Sequence, residues 1–238
     1  MRARRRLRNV YDLRPDIDRH PARRRESFPE IVEDDFWAAY ESSKTYSLLH
    51  VTGFYNLYQS VRHVAANDVP GDFVECGTLF GGASMFVVVL CEMFGIDGRT
   101  VHVFDTFEGF PEGSQDRKRG VAIRGPRYDS FFDAVVHNFE VTCGTHAVEF
   151  HRGDVRATLD DFDVATLALV RLDTDFYDST RKELEVLYPR LAPGGVVIVD
   201  DYGSYDGSRR ATDEYLDSVS PRPLLQRVDA GIWAGVKP

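Results

Sequence analysis

The sequence predicts an α/β domain: a doubly wound, mostly parallel seven-stranded sheet with an N-terminal helical cap and a C-terminal antiparallel hairpin. Three observations predict it. At residues 73–94 a short apolar run meets a glycine turn, and the turn opens a long apolar segment. From there to residue 218, apolar runs alternate with amphipathic stretches, the pattern of parallel strands joined by helices. An acid also follows nearly every apolar run, where a strand's carboxyl end would lie.

Residues 1–30 have no helical or strand period and contain Pro15, Pro21 and Pro29, so they read as a basic tail before a single domain over 31–238. Residues 1–25 hold ten Arg against Asp12, Asp16 and Asp18, a charge of +7; the whole chain is at −9, so residues 26–238 are at −16. A basic arm suggests nucleic acid or an anionic surface. This one has no interleaved aromatic beyond Tyr11, and the acidic body would repel phosphates. No nucleic-acid or membrane partner is expected; the arm is expected to lie on the acidic body of its own or a neighbouring subunit of a homo-oligomer. The basic start is followed by NVYDLRPDIDRH, which has no apolar run and is no secretory signal. The longest apolar run, Met85 to Cys91, is too short for a bilayer. Cys76, Cys91 and Cys143 form no C-x-x-C pair and read as reduced thiols of a cytoplasmic protein. A chain of 238 residues, 43% hydrophobic, can bury one substantial core.

The helical cap comes first, over residues 31–68. Residues 31–43 read as a short amphipathic helix and 44–52 as a polar-aromatic link. Residues 53–66 read as a second helix, with Phe54, Leu57, Tyr58, Val61 and Val64 on one face. Phe73-Val74 then ends the first strand and Glu75 closes it. Gly77, Gly81 and Gly82 make a turn where backbone can approach a ligand. The helix that follows, 83–94, ends at Gly95. The spacing Gly77-x-x-x-Gly81-Gly82 is neither a dinucleotide fingerprint nor a phosphate loop, because Ala83-Ser84 stands where Lys-Ser/Thr is needed. The loop has the shape of a nucleoside site without the phosphate grip. That suits S-adenosylmethionine, whose methionine end carries an ammonium and a sulfonium. A tight strand-helix turn without a ligand is the alternative.

The second strand is Thr100 to Phe104, ending in Asp105. Residues 108–127 form a Gly/Pro/charge-rich loop, long enough for a lid. Tyr128 to Glu140 reads as a helix capped by Asp129 or Ser130. Strand three, Ala147 to His151, runs into Gly153-Asp154. Strand four, Thr166 to Leu172, runs into Asp173. A helix over Thr180 to Leu191 is expected to start with a capping box, Thr180-x-x-Glu183. Pro193-Gly194-Gly195 turns into strand five, Val196 to Val199, which ends in Asp200-Asp201. A helix over Arg209 to Ser218 precedes two closing strands, Leu224 to Val228 and Ile232 to Val236, a hairpin around Ala230-Gly231.

In an open α/β sheet, ligands bind outside the carboxyl ends of the strands. Six acids sit there: Glu75, Asp105, Asp154, Asp173, Asp200 and Asp201. Each alone has a reading as a helix cap, but carboxylates crowded together resist joint ionisation unless a cation lies between them. Glu75 and Asp105 flank the glycine loop and would hold the nucleoside, Asp105 through both ribose hydroxyls. Asp154 has two readings, an acceptor for the adenine amine or a turn residue. Thr106 and Ser130 are assigned to the same cofactor site. Asp173, Asp200 and Asp201 come from strands expected to be neighbours. Three carboxylates with no nearby His or Cys suit magnesium before calcium or manganese.

FVECGTLFGGAS, VHVFDTFEGFPE, LALVRLDTDFYDST, LYPRLAPGGVVIVDDYG and RRATDEYL resemble the macrocin O-methyltransferase (TylF-like) family of sugar O-methyltransferases over residues 44–238. The resemblance implies a class I methyltransferase, Rossmann-like fold, S-adenosylmethionine as cofactor and antibiotic biosynthesis as setting. It implies magnesium at Asp173, Asp200 and Asp201, with Asp173 also the base. It implies cofactor contacts from Glu75, Gly77, Thr78 and Asp105, and from Tyr46 and Ser47 in the link. The chain departs from the family at Leu79-Phe80, where a Trp-Arg pair is usual, at Asp154, where an aromatic is common, and along GSQDRKRGVAIRGPRYDS. The expected activity is magnesium-dependent O-methylation of a sugar or other diol of a natural product, a small-molecule acceptor. A nicotinamide oxidoreductase and a non-catalytic or accessory protein of the cephalosporin-hydroxylase type are the alternatives on the same fold.

Overall fold

A computed structural model describes residues 20–238. The expected basic tail therefore lies mostly outside the described residues, but its last part does not behave as a tail. Residues 21–23 and 25–27 form single 3-10 turns, and Arg23 is buried. The reason is local to Arg23: its guanidinium donates to the carbonyls of Ser47 (2.8 Å) and Lys44, and Tyr40 donates back to its carbonyl.

Helices α1 (Asp34–Ser43) and α2 (Val51–Ala66) form the cap. In their aromatic face Phe36 and Phe54 pack edge-to-face with Phe86 of α3 (Gly82–Met93), and Tyr58 and Tyr40 pack edge-to-face on Phe36 and Phe54 in turn. Helix α3 is apolar all round because it is covered on one side by this cap and on the other by the sheet.

The sheet holds β1 (Asp72–Cys76), β2 (Val101–Asp105), β5 (Val148–Arg152), β6 (Leu167–Leu172), β7 (Leu191–Val199), β8 (Gln226–Arg227) and β9 (Trp233–Val236), in the order β5-β2-β1-β6-β7-β9-β8. The first five are parallel; β9 runs antiparallel to β7, and β8 to β9. Residues alternate between two cores, so the central strands are buried on both faces. Val101 and Val103 face the cap-side core, whereas Phe104, Val197 and Val199 face the core under α6 (Tyr177–Arg190) and α7 (Asp206–Leu216). The chain reverses its direction of growth between β1 and β6. That switch point is where doubly wound sheets open a crevice at the strand carboxyl ends.

Several expected details differ. The loop over 108–127 contains a hairpin, β3 (Gln115–Lys118) and β4 (Val121–Arg124), turned by Arg119 and Gly120, both at positive φ. Two residues of positive φ give the turn whose twist matches a two-residue hairpin. Neither Asp129 nor Ser130 stands at the cap position of the next helix: α4 begins at Phe132 with Phe131 there, and Ser130 Oγ accepts the N–H of Phe132 only at 3.5 Å. The capping box at Thr180 and Glu183 does not form either. Helix α6 begins three residues earlier at Tyr177, whose N–H is taken by Asp116 of the hairpin (3.2 Å), and Glu183 instead accepts from Thr174 (2.8 Å) inside the fold. A non-local cap has displaced the local one.

Candidate active site

Two glycines bring the backbone segments of the site together. A Cβ on Gly77 (φ 84°) would lie 2.0 Å from the carbonyl oxygen of Asp173, so only glycine lets the turn after β1 touch the end of β6. A Cβ on Gly82 would lie 2.7 Å from Tyr46 and Ser47, so the link before α2 rests directly on the start of α3.

A cavity of about 1300 Å³ opens at the carboxyl ends of β1, β2, β6 and β7. It exceeds the few hundred to roughly 1,000 Å³ common for one small ligand, which gives room for two substrates. Ser47, Glu75, Gly77, Thr78, Asp105 and Thr106 line it on the glycine-loop side. Asp173, Asp200 and Asp201 line it on the other side, and Asp154 also reaches it. Tyr46 and Ser130 are not on its wall. Tyr46 packs against the cap-side core, and Ser130 accepts from Arg152 (3.2 Å).

The centre of the site is Arg171, which the sequence reading missed. It faces Glu75 across the β1–β6 pairing. It is 4% exposed and holds three acids: Glu75 at 2.5 Å, Asp173 at 2.8 Å and Asp200 at 2.5 Å. Its signal was in the sequence, a single charge inside the apolar strand LALVRL, because a buried charge needs partners. Glu75 is equally buried. One of its oxygens faces Arg171 and the other accepts from Thr78 (2.9 Å) and Ser84.

Asp105 is held by the loop it was expected to serve. Its carboxylate accepts from the backbone N–H groups of Thr78 (2.8 Å), Leu79 (3.1 Å) and Phe107 (2.7 Å). Burial pushes its pKa up, and those three N–H groups oppose the shift. The Thr106 hydroxyl donates to the Gly109 carbonyl and so ties the start of the loop. Asp154 takes the turn reading at least in part. It caps the short helix α5 (Val155–Thr158) by accepting from the N–H of Arg156 (3.0 Å) and pairs with that guanidinium (2.6 Å).

The structure does bring Asp173, Asp200 and Asp201 together: their carboxylate oxygens lie within 4.8 Å of one another. Burial drives the carboxyls of Asp173 and Asp201 well above the usual range, and Arg171 opposes the shift in both. A fourth acid, Asp175, was also missed. Its N–H donates to Asp201 (3.0 Å), it sits at φ 68°, and burial pushes its own carboxyl up to about 6. Its signal is the second acid of LDTD, two residues after Asp173. Glu75, Asp173 and Asp200 thus share one guanidinium, and Asp201 lies beside them without a contact to it. The excess of negative charge demands protons or a cation, which fits an oxygen-liganded divalent ion.

The family model for macrocin-O-methyltransferase (TylF) matches residues 33–234. The 8-demethyl-8-(2,3-dimethoxy-alpha-L-rhamnosyl)-tetracenomycin-C 4'-O-methyltransferase of Streptomyces olivaceus is 34% identical over 226 residues, 92% of this chain and 80% of that protein. The demethyldecarbamoylnovobiocin O-methyltransferase of Streptomyces niveus is 34% identical over 179 residues, 73% of this chain and 68% of that protein. The solved structure of the O-methyltransferase NovP matches with a TM-score of 0.73 and 26% identity, covering 96% of this chain and 97% of that one. The oxidoreductase and accessory alternatives give way to these matches. On the extent of the family match and the identity of its relatives, the chain belongs to the macrocin-O-methyltransferase (TylF) family and is an O-methyltransferase.

Proposed function

We propose that the methyl donor is S-adenosylmethionine, that the enzyme requires magnesium at Asp173, Asp200 and Asp201, and that its acceptor is a hydroxyl of a sugar or other vicinal diol of a natural product. The observation that carries this reading is one cavity with two walls: the glycine loop with Asp105 on one side, and three clustered carboxylates on the other. Two relatives, one that methylates a rhamnosyl-tetracenomycin and one that methylates demethyldecarbamoylnovobiocin, support a glycosylated acceptor.

Asp105 would accept the ribose hydroxyls with a carboxylate already aimed by Thr78, Leu79 and Phe107. Gly77 and Thr78 would let the backbone lie along the methionine end, and Ser47, on the link, would close that end. Tyr46, Thr106 and Ser130 would contribute by holding their segments in place. Asp154 would reach the adenine only with the face that Arg156 leaves open. Asp173 is the base. Arg171 fixes one of its oxygens and so aims the carboxylate, which takes the acceptor's proton as the oxygen attacks the methyl group. Magnesium, when bound, supplies the positive charge that lowers the pKa of the acceptor hydroxyl. Holding acceptor and donor in line accounts for much of the rate.

Turnover with S-adenosylmethionine and a rhamnosylated acceptor tests this. EDTA is expected to abolish it and magnesium to restore it. Excess magnesium should rescue part of the activity of Asp200→Asn and none of that of Asp173→Asn, while both variants still bind S-adenosylhomocysteine by calorimetry. Full activity in EDTA would refute the metal, and binding of NADH in place of S-adenosylhomocysteine would refute the cofactor.

A further inference from the structure

A second cluster of ligating side chains lies away from the acids, on the face of β2 and β5 that packs under α5 and Phe162. His102 on β2 pairs in register with Glu149 on β5, the edge strand, and His151 follows two residues on, on the same face. The atoms converge. His102 Nδ1 is 3.1 Å from His151 Nε2 and 3.6 Å from a Glu149 oxygen, and His151 Nε2 is 3.8 Å from the other Glu149 oxygen. A tetrahedral zinc ion with bonds of about 2.0–2.1 Å has ligand atoms about 3.3–3.4 Å apart. The separation of the two rings lies just inside that edge and each ring's contact with Glu149 just outside it, and one ligand atom from each residue lies within 4.8 Å of the others.

The tautomer is set from behind. Asp72 accepts the N–H of Thr100 (3.1 Å) with one oxygen and faces His102 Nε2 (3.3 Å) with the other. A carboxylate only accepts, so Nε2 carries the proton and Nδ1 presents its lone pair to His151 and Glu149. A carboxylate behind a ligating histidine is the usual support of a metal site. Stacking on Phe104, with ring centroids 4.1 Å apart, holds the His151 ring, and the neutral imidazole is the form that ligates. The Glu149 side chain is 60% exposed, which leaves an entry path and a position for water as fourth ligand.

We propose that His102 Nδ1, His151 Nε2 and the Glu149 carboxylate form a site for a borderline divalent transition-metal ion such as zinc, with Asp72 orienting His102. In the metal-free protein the hydrogen between the two rings sits on His151 Nε2; on binding, His151 takes its other tautomer, with the hydrogen on Nδ1, so both facing nitrogens are free for the ion and no proton is lost. The ion would staple the edge strand β5 to β2, about 10 Å along the strand from Asp105. Imidazole ligands separate this site from the all-oxygen site at Asp173, Asp200 and Asp201, which suits magnesium.

The test is calorimetric titration of the metal-free full chain with zinc chloride in excess magnesium, with a melting curve in parallel. One zinc per chain and a raised melting temperature are expected. His151→Gln should weaken binding at least tenfold. Asp72→Asn should weaken it about 10- to 100-fold, the range for a supporting carboxylate. Glu149→Gln, at an exposed position that leaves the fold intact, should also weaken it. Asp200→Asn should leave it unchanged. No zinc uptake in excess magnesium, unchanged affinity in Glu149→Gln, or loss of zinc in Asp200→Asn would overturn the proposal and leave the two rings as a hydrogen-bonded pair in the core.

Discussion

Replacing Arg171 with methionine keeps most of the side-chain volume and removes the guanidinium that Glu75, Asp173 and Asp200 share at 2.5–2.8 Å. Arg171 and Glu75 are each only 4% exposed, so solvent cannot stand in for the lost charge. Breaking a buried ion pair from one side costs about 3–5 kcal/mol. That is a large part of the 5–15 kcal/mol by which domains are usually stable. For a chain of this length each kcal/mol lowers the melting temperature by about 2–4 °C, so a drop of roughly 6–20 °C is expected. The loss must depend on pH. Without the guanidinium, the charge that opposes the burial-raised carboxyl of Asp173 is gone, so that carboxyl is raised further in the folded chain. A carboxyl raised by folding destabilises more as pH climbs from its unfolded to its folded pKa. The deficit against wild type should therefore be larger near about pH 8 than near about pH 5. Excess magnesium should narrow it, because a cation at the neighbouring acids replaces part of the missing charge. Chemical denaturation at the two pH values, with and without magnesium, reads all of this. Equal stability at the higher pH, or a deficit that grows on acidification, would refute the assignment of Arg171 as the shared counter-ion.

Asp105→Ala should weaken S-adenosylhomocysteine binding by about 1–3 kcal/mol in calorimetry and lower the melting temperature as well, since it strands the N–H groups of Thr78, Leu79 and Phe107. Glu183 is fully buried and its carboxyl is pushed up to about 8 by burial. Stability relative to Glu183→Gln should therefore fall as pH rises from the ordinary glutamate value through 8, by at most about 4–5 kcal/mol; parallel pH profiles of the two proteins would refute it. Arg23→Ala should cost about 1–3 kcal/mol in urea unfolding, because the carbonyls of Lys44 and Ser47 lose their donor. A truncation that begins at Glu26, harmless if residues 1–30 were only a tail, should cost at least as much. Exchanging the β3–β4 hairpin for that of a relative should change acceptor preference and leave S-adenosylhomocysteine affinity nearly untouched; a collapse of that affinity would place the hairpin in the nucleoside site.

Features that depend on neighbours along the chain are legible in the sequence. The alternation of apolar strands and helices, the glycine turn after β1, and the acids at the ends of β2, β6 and β7 are all local patterns, and the structure places these elements within a few residues of their expected bounds, except that β7 begins at Leu191, five residues before the expected Val196, and runs through the expected turn at Pro193-Gly194-Gly195. Features that depend on which segments meet across the sheet are not legible there. The order β5-β2-β1-β6-β7 sets Glu75 opposite Arg171 and turns a cluster of acids into one with a counter-ion. The same pairing of β2 with β5 brings His102, Glu149 and His151 together from positions almost fifty residues apart. The cap of α6 comes from Asp116 in the hairpin rather than from Thr180, because a carboxylate delivered across space outcompetes a hydroxyl three residues along the helix. Arg23 likewise belongs to the fold through two carbonyls some twenty residues away. Periodicity records which face of an element is buried. It carries no record of the partner that buries it, and the chemistry of this site lies in those partners.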